Sequence, residues 1–235
     1  DNAAIEAKLS AWLARRVALA TPVELPSAPH WVDTPTGRAI EKALTFARTR
    51  SKMALVYGGA GVGKTTALER YARNIPRVWY VRASPANGSM AALLRELCDV
   101  MAVYTTGWKN AALTSDVIWR LTGEPSLVIV DEAQYLSIPA LEQLRYIHDE
   151  SGAGLVLSGN ESVYSRLTGG HRRAEFAQLF SRVGRRLRIS MPKDGDVAAV
   201  LDAWRVTGSR ERAYAAQIAS LPGGLRGLVT LLEEA

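Results

Sequence analysis

The chain has 235 residues, of which 48% are hydrophobic and 22% charged, long enough to bury a proper core in one large domain or a main domain with a small satellite. No segment approaches the roughly 18 consecutive apolar residues of a membrane-spanning helix, and the opening DNAAIEAKLSAWLARR lacks the basic-then-apolar order of a secretory signal. The net charge of +6 suits an acidic partner such as nucleic acid, or simply a solvated basic face, and the single cysteine, Cys98, excludes an internal disulfide framework and fits a reducing cytoplasm.

With no initiator Met, Asp1 is not expected to be the natural start. Residues 2–19 place Ile5, Leu9, Trp12, Leu13 and Arg16 on one helical face, and the Pro-rich TPVELPSAPH then stops the helix, so residues 1–30 read as a helix and linker trailing an upstream domain. Thr34 followed by Pro35 gives an N-cap with proline at the first helical position, which predicts a helix to about Arg50 with Ile40, Leu44 and Ala47 inward. From there short apolar runs alternate with helical patterns: MALVY (53–57), VWYV (78–81), LVIV (127–130), GLVLS (154–158) and RLRIS (186–190). Continuous apolar runs separated by helices predict an α/β fold with a five-stranded parallel sheet over residues 31–192. After Pro192, DVAAVLDAWRV, RERAYAAQIAS and LRGLVTLLEEA predict three helices, a small helical appendage over 193–235.

The stretch GGAGVGKTT satisfies G-x-x-x-x-G-K-[ST] between a strand and a helix, the context that the pattern requires. Its residues, Gly58, Gly59, Ala60, Gly61, Val62, Gly63, Lys64, Thr65 and Thr66, are expected to wrap backbone N–H groups around a nucleotide's phosphates. Lys64 supplies a point charge and the Thr65 hydroxyl a ligand for Mg²⁺. SLVIVDEAQYL ends a strand in an acid pair: Asp131 is placed to complete the metal shell, and Glu132 to polarise water for attack on the γ-phosphate. Asn160 ends the next strand, level with Glu132 if the two strands are neighbours. Its amide suits the γ-phosphate or the attacking water, and it also suits the cap of the helix beginning ESVYSRL. In FSRVGRRLRI, Arg182 is the candidate to reach a neighbouring subunit's γ-phosphate, with Arg185 as the alternate; Arg185, Arg186 and Arg188 equally fit a solvated or phosphate-binding face. Arg226, near the start of the last helix, is placed to couple a lid to the nucleotide, and it equally fits an ordinary surface arginine. His171 and two further histidines give no metal-ligand spacing, so the metal expected is Mg²⁺ carried with ATP.

Taken in order, the phosphate loop at 58–65, VIVDE at 128–132, Asn160, Arg182 and Arg226 resemble an AAA+ ATPase with its lid, over roughly Trp31 to Ala235. Within that class WVDTPTGRAIEKAL, VDEAQYL and LSGNESVYSRL look like the MuB-like and TnsC-like DNA-transposition regulators, although ATPases of origin-recognition and secretion type share the DEAQ form. The resemblance implies an ATP-dependent homo-oligomer, filament or ring, that assembles on duplex DNA without sequence preference and recruits and activates a transposase. It also implies an upstream helix-turn-helix domain, of which the first helix here resembles the end. An ATPase of another assembly, and a scaffold that holds ATP without turnover, are the rival expectations. For DNA contact, the long excursion between the second and third strands offers Thr105, Thr106 and Lys109, with Trp108 expected to pack, and GGHRRAEF offers Arg172 and Arg173.

Overall fold

The computed structural model describes residues 31–105, 107, 109–168 and 181–234, together with Ser10 and Pro29. The N-terminal helix and Trp108 lie outside the described residues.

The first described helix, α1 (Pro35–Arg50), starts where the sequence says it should: the Thr34 hydroxyl accepts the Gly37 N–H at 3.0 Å, and Ile40, Ala43, Leu44 and Ala47 form its buried face. There follow β1 (Met53–Gly58), α2 (Lys64–Asn74), β2 (Val78–Arg82), α3 (Met90–Val100), α4 (Asn110–Leu121) and β3 (Leu127–Asp131). A 3₁₀ turn (Ala133–Tyr135) leads to α5 (Ile138–Ser151), β4 (Gly154–Gly159), α6 (Glu161–Thr168) and β5 (Val183–Ile189). The chain then forms α7 (Asp194–Ala203), α8 (Ser209–Ala219) and α9 (Gly224–Glu234).

The sheet is five-stranded and parallel, in the order β2-β3-β4-β1-β5. Every residue of β1, β3 and β4 is buried, as expected of strands covered by helices on both faces. One core fills the face under α3, α4 and α5, and a second the face under α1 and α2. Cys98 is a buried thiol of the first, and burial pushes its pKa up. A third, separate core of Val197, Val200, Leu201, Ala215, Ala219, Leu225 and Leu228 holds α7, α8 and α9 together.

The fifth strand differs from the sequence reading, starting at Val183 rather than Arg186. It is an edge strand whose Gly184, Arg185, Arg186 and Arg188 are exposed, so the continuous apolar signature of the inner strands is missing there. Pairing with β1 also slips between Met53 and Ala54, which absorbs one extra residue. Arg185 consequently sits inside the strand opposite Ala54, while Arg182 stands just ahead of it.

Candidate functional site: a nucleotide cleft at the carboxyl edge of the sheet

β1 ends at Gly58, and the loop that follows turns into α2 at Lys64. Gly63, the residue before the helix, has φ +85°, and Gly61 has φ +71°, backbone settings that L side chains rarely adopt. The loop thereby aims the start of α2 into a cleft of about 560 Å³, lined by Ala60 to Thr66, by Trp31, Val32 and Thr34 ahead of α1, and by Leu225, Arg226 and Val229 of α9. A helix N-terminus carries unsatisfied N–H groups and partial positive charge, so this end of the cleft is built for phosphate. Lys64 Nζ donates to the carbonyls of Gly58 (3.1 Å) and Gly59 (2.6 Å). Its pKa is lowered, first by burial and then by Arg226, with Asp131 and Glu132 opposing. Arg226 thus faces the same cleft from the first turn of α9.

At the end of β3, Asp131 is 1% exposed. Its Oδ2 accepts from the Thr65 hydroxyl at 2.7 Å and from the Tyr80 hydroxyl at 3.3 Å, and its Oδ1 from the Glu132 N–H at 3.0 Å. Burial and the Asp131 charge push the Tyr80 pKa up, so the phenol stays a donor. Two hard oxygens, the Thr65 hydroxyl and a buried carboxylate, thus stand together beside the phosphate loop, a donor set that suits Mg²⁺. Among the described residues no cluster of three or more His, Cys, Asp and Glu side chains could hold a metal by itself, and an Mg²⁺ at Thr65 and Asp131 would take its other ligands from a nucleotide's phosphates and water.

Glu132 adopts φ 54°, ψ 35°, a left-handed setting that turns the chain sharply out of β3. Its carboxylate is 3.9 Å from Arg82 and accepts from Gln134 Nε2. The other end of the same amide accepts from the Asn160 N–H at 3.4 Å, so Gln134 bridges the acid to the end of β4. β3 and β4 are neighbours in a register that pairs Val130 with Leu157, which brings Asn160 to the same sheet edge as Glu132, one residue beyond it. Asn160 also caps α6, its Oδ1 accepting from the N–H of Ser162 at 2.9 Å and from the Ser162 hydroxyl at 2.5 Å.

Arg182 lies at the other end of the sheet. Its carbonyl accepts from the Met53 N–H at 3.3 Å, where β1 begins, and its Nε donates to Asp149 Oδ1 at 2.6 Å. Burial works to raise the Asp149 pKa, but the hydrogen bond and charge of Arg182, with Arg145 and His148 behind it, hold it below the usual carboxylate value. Six residues of β1 separate this end from the phosphate loop, about 20 Å at strand rise, so Arg182 has no reach to the cleft of its own chain.

Of the residues expected to meet DNA, Thr105 is turned back on its own connector, its hydroxyl donating to the Gly107 carbonyl at 2.7 Å. Lys109 is exposed at the N-cap of α4. Thr106, Arg172, Arg173 and His171 lie outside the described residues.

Sequence reading missed Tyr80, Gln134 and Trp31. Tyr80 sits two residues before the end of β2, in phase with Ile129 of β3, a relation that exists only once β2 and β3 are paired. Gln134 is visible in DEAQ but has no role until β4 lies beside β3. Trp31 forms a cleft wall and is braced by the Arg70 guanidinium 4.3 Å from its ring centroid, which in turn pairs with Glu41 at 2.6 Å.

A parallel sheet with a phosphate loop after its fourth strand in space, an acid pair on the strand two places away, and a helical lid closing the cleft is the build of an AAA ATPase. Residues 47–167 match the AAA domain family. Residues 181–235 match the C-terminal domain of the Mu B transposition protein. The chain is 39% identical over 226 residues to the ATP-dependent target DNA activator B of Escherichia phage Mu, covering 96% of this chain and 72% of that protein. It is 38% identical over 224 residues to the Mu-like prophage FluMu DNA transposition protein B of Haemophilus influenzae, covering 94% of this chain and 77% of the relative. The chain therefore belongs to the Mu B family of ATP-dependent AAA ATPases.

Two solved structures share the fold at low identity. Cdc6p from Pyrobaculum aerophilum has a TM-score of 0.61 at 16% identity, over 91% of this chain and 62% of that one. A Walker-type ATPase of Pyrococcus abyssi has a TM-score of 0.59 at 15% identity, over 84% of this chain and 65% of that one.

Proposed function

We propose that this ATPase is a target DNA activator: with ATP bound it assembles as a homo-oligomer on duplex DNA without sequence preference, and presents that DNA to a transposase which it recruits and stimulates. The observation that carries the reading is the 39% identity to the phage Mu target DNA activator across 96% of the chain, nucleotide cleft and lid together.

The chemistry follows from the cleft. The loop from Gly58 to Thr66 and the start of α2 take the phosphates, and Lys64 exchanges its loop carbonyls for phosphate oxygens. Thr65 and Asp131 hold Mg²⁺, which supplies charge neutralisation for the triphosphate. Glu132, turned out of β3 and tethered by Gln134, is the base that orients water. The cap on α6 uses the Asn160 side-chain oxygen, and its NH₂ group is the donor for the γ-phosphate or that water. Arg226 reads the nucleotide from the lid. Arg182 serves the cleft of the next subunit, where a guanidinium stabilises transition-state charge. Trp31 and the apolar residues opposite it on the lid suit the flat base. Thr105, Thr106 and Lys109, with Arg172 and Arg173, are the candidates for the DNA backbone.

Electron microscopy of the protein with duplex DNA, with and without a slowly hydrolysed ATP analogue, tests this reading. Ordered assemblies that need both are expected; assembly indifferent to DNA points instead to an ATPase of a different machine.

A further inference from the structure

Ser158, the next-to-last residue of β4, is 0% exposed, and its hydroxyl has no hydrogen-bond partner among the described residues. A hydroxyl buried without a partner is costly, and the great majority of buried side-chain polar atoms have one. Its position is fixed by register. Leu157 pairs with Val130, so Ser158 is one step beyond Leu157 on β4 just as Asp131 is one step beyond Val130 on β3, on strands about 4.8 Å apart. On its other side Ser158 is paired with Val56, two residues before Gly58.

Alternation fixes the face. Leu155 and Leu157 belong to the core under α3, α4 and α5, whereas Val156 belongs to the core under α1 and α2, which directs Ser158 to the α1 and α2 side. Ile129 belongs to that same core, and Asp131, two residues on, meets Thr65 of α2 there. The orphaned hydroxyl therefore stands between the strand that carries the metal-binding carboxylate and the strand that carries the phosphate loop, on the side where both act.

We propose that Ser158 is a further binding residue of the Mg²⁺-nucleotide site. Its hydroxyl, without a hydrogen-bond partner among the described residues, forms a hydrogen bond to the water-bearing shell beside Asp131 when Mg²⁺ and triphosphate are held. This inference rests on the assignment of Thr65 and Asp131 as the metal's protein ligands.

The test compares wild type with Ser158→Ala, measuring the thermal midpoint without nucleotide and the affinity for a slowly hydrolysed ATP analogue, in Mg²⁺ and in EDTA. Removing an unpaired buried hydroxyl is expected to raise the nucleotide-free midpoint by about 2–4 °C. Affinity in Mg²⁺ is expected to weaken about 5- to 20-fold, with affinity in EDTA unchanged. Wild-type affinity in Mg²⁺, equal losses in Mg²⁺ and EDTA, or a lowered nucleotide-free midpoint each overturn the proposal, the last because the hydroxyl then has a partner in the empty protein. If the alanine variant does not fold, Ser158→Cys, similar in size and a weak donor, gives the same readout. A wild-type protein that binds equally well with and without Mg²⁺ sinks the metal-site assignment itself, a result distinct from failure at Ser158.

Discussion

Lys64 illustrates how single residues at this site are poised by their surroundings. Burial lowers its pKa below the ordinary 10.5, so its proton is lost at a lower pH than that of an exposed lysine. The charged form binds phosphate; affinity for ATP should therefore fall as the pH rises into the alkaline range, beginning below 10.5, and Lys64→Ala should remove the pH dependence along with most of the affinity. Equilibrium binding across that range checks both. Glu132 makes a different prediction, because the role proposed for it is in turnover. Glu132→Gln keeps the size and the tether to Gln134, so ATP binding should persist while hydrolysis falls by about 10²–10⁴. Steady-state hydrolysis alongside nucleotide affinity separates the two.

At the level of elements, the lid is fastened to the phosphate loop through backbone. The Leu225 N–H donates to the Gly61 carbonyl at 2.9 Å, and a Cβ on Gly61 would lie 1.7 Å from the Gly223 carbonyl. Gly61→Ala should therefore push α9 off the loop, weakening ATP binding by at least about tenfold, and the loss should be seen in calorimetry even though no phosphate-binding side chain has changed. A second fastening is Asp196 of α7, 0% exposed, whose carboxylate accepts from the Thr36 N–H (2.8 Å), the Thr36 hydroxyl (2.6 Å) and the Lys193 N–H (2.8 Å). Asp196→Ala strands the two buried Thr36 donors and frees the Lys193 N–H at a cost of about 3 kcal/mol, and thermal melts should show a midpoint lowered by about 6–10 °C. These joints tie the start of α1, the loop and the lid into one wall of the cleft.

Across the whole molecule, the cleft opens at the carboxyl edge of the sheet and the Arg182–Asp149 pair closes the amino edge. An arginine that serves the cleft of another copy must leave Asp149 to do so. Arg182→Ala should leave ATP binding intact and lower hydrolysis by about 10³–10⁵. Mixing it with Lys64→Ala should restore part of the turnover, since the first variant contributes an intact cleft and the second an intact arginine. Hydrolysis assays on the mixture decide the point, and no recovery counts against action between subunits. The net charge of +6 bears on the DNA half of the reading. Each phosphate neutralised should add about 0.9 to the slope of log affinity against log salt, and a flat slope in filter binding would sink DNA binding.

Sequence alone determined the phosphate loop, the acid pair, the helix start at Thr34 and Pro35, the inner strands and the three lid helices. Each is written in consecutive residues or in one helical or strand period, so local physics is enough to read it. The edge strand escaped in part because its exposed arginines lack that period. What only the tertiary structure decided was which strand lies beside which. The order β2-β3-β4-β1-β5 sets β2 beside β3 and inserts β4 between β3 and β1, and so places Tyr80 on Asp131, Gln134 between Glu132 and Asn160, and Ser158 beside Asp131. It also sends Arg182 to the edge opposite the cleft. Strand order arises from long-range pairing, where backbone hydrogen bonds are alike at every position, and the choice is made by how whole faces bury against helices rather than by any residue's neighbours in sequence.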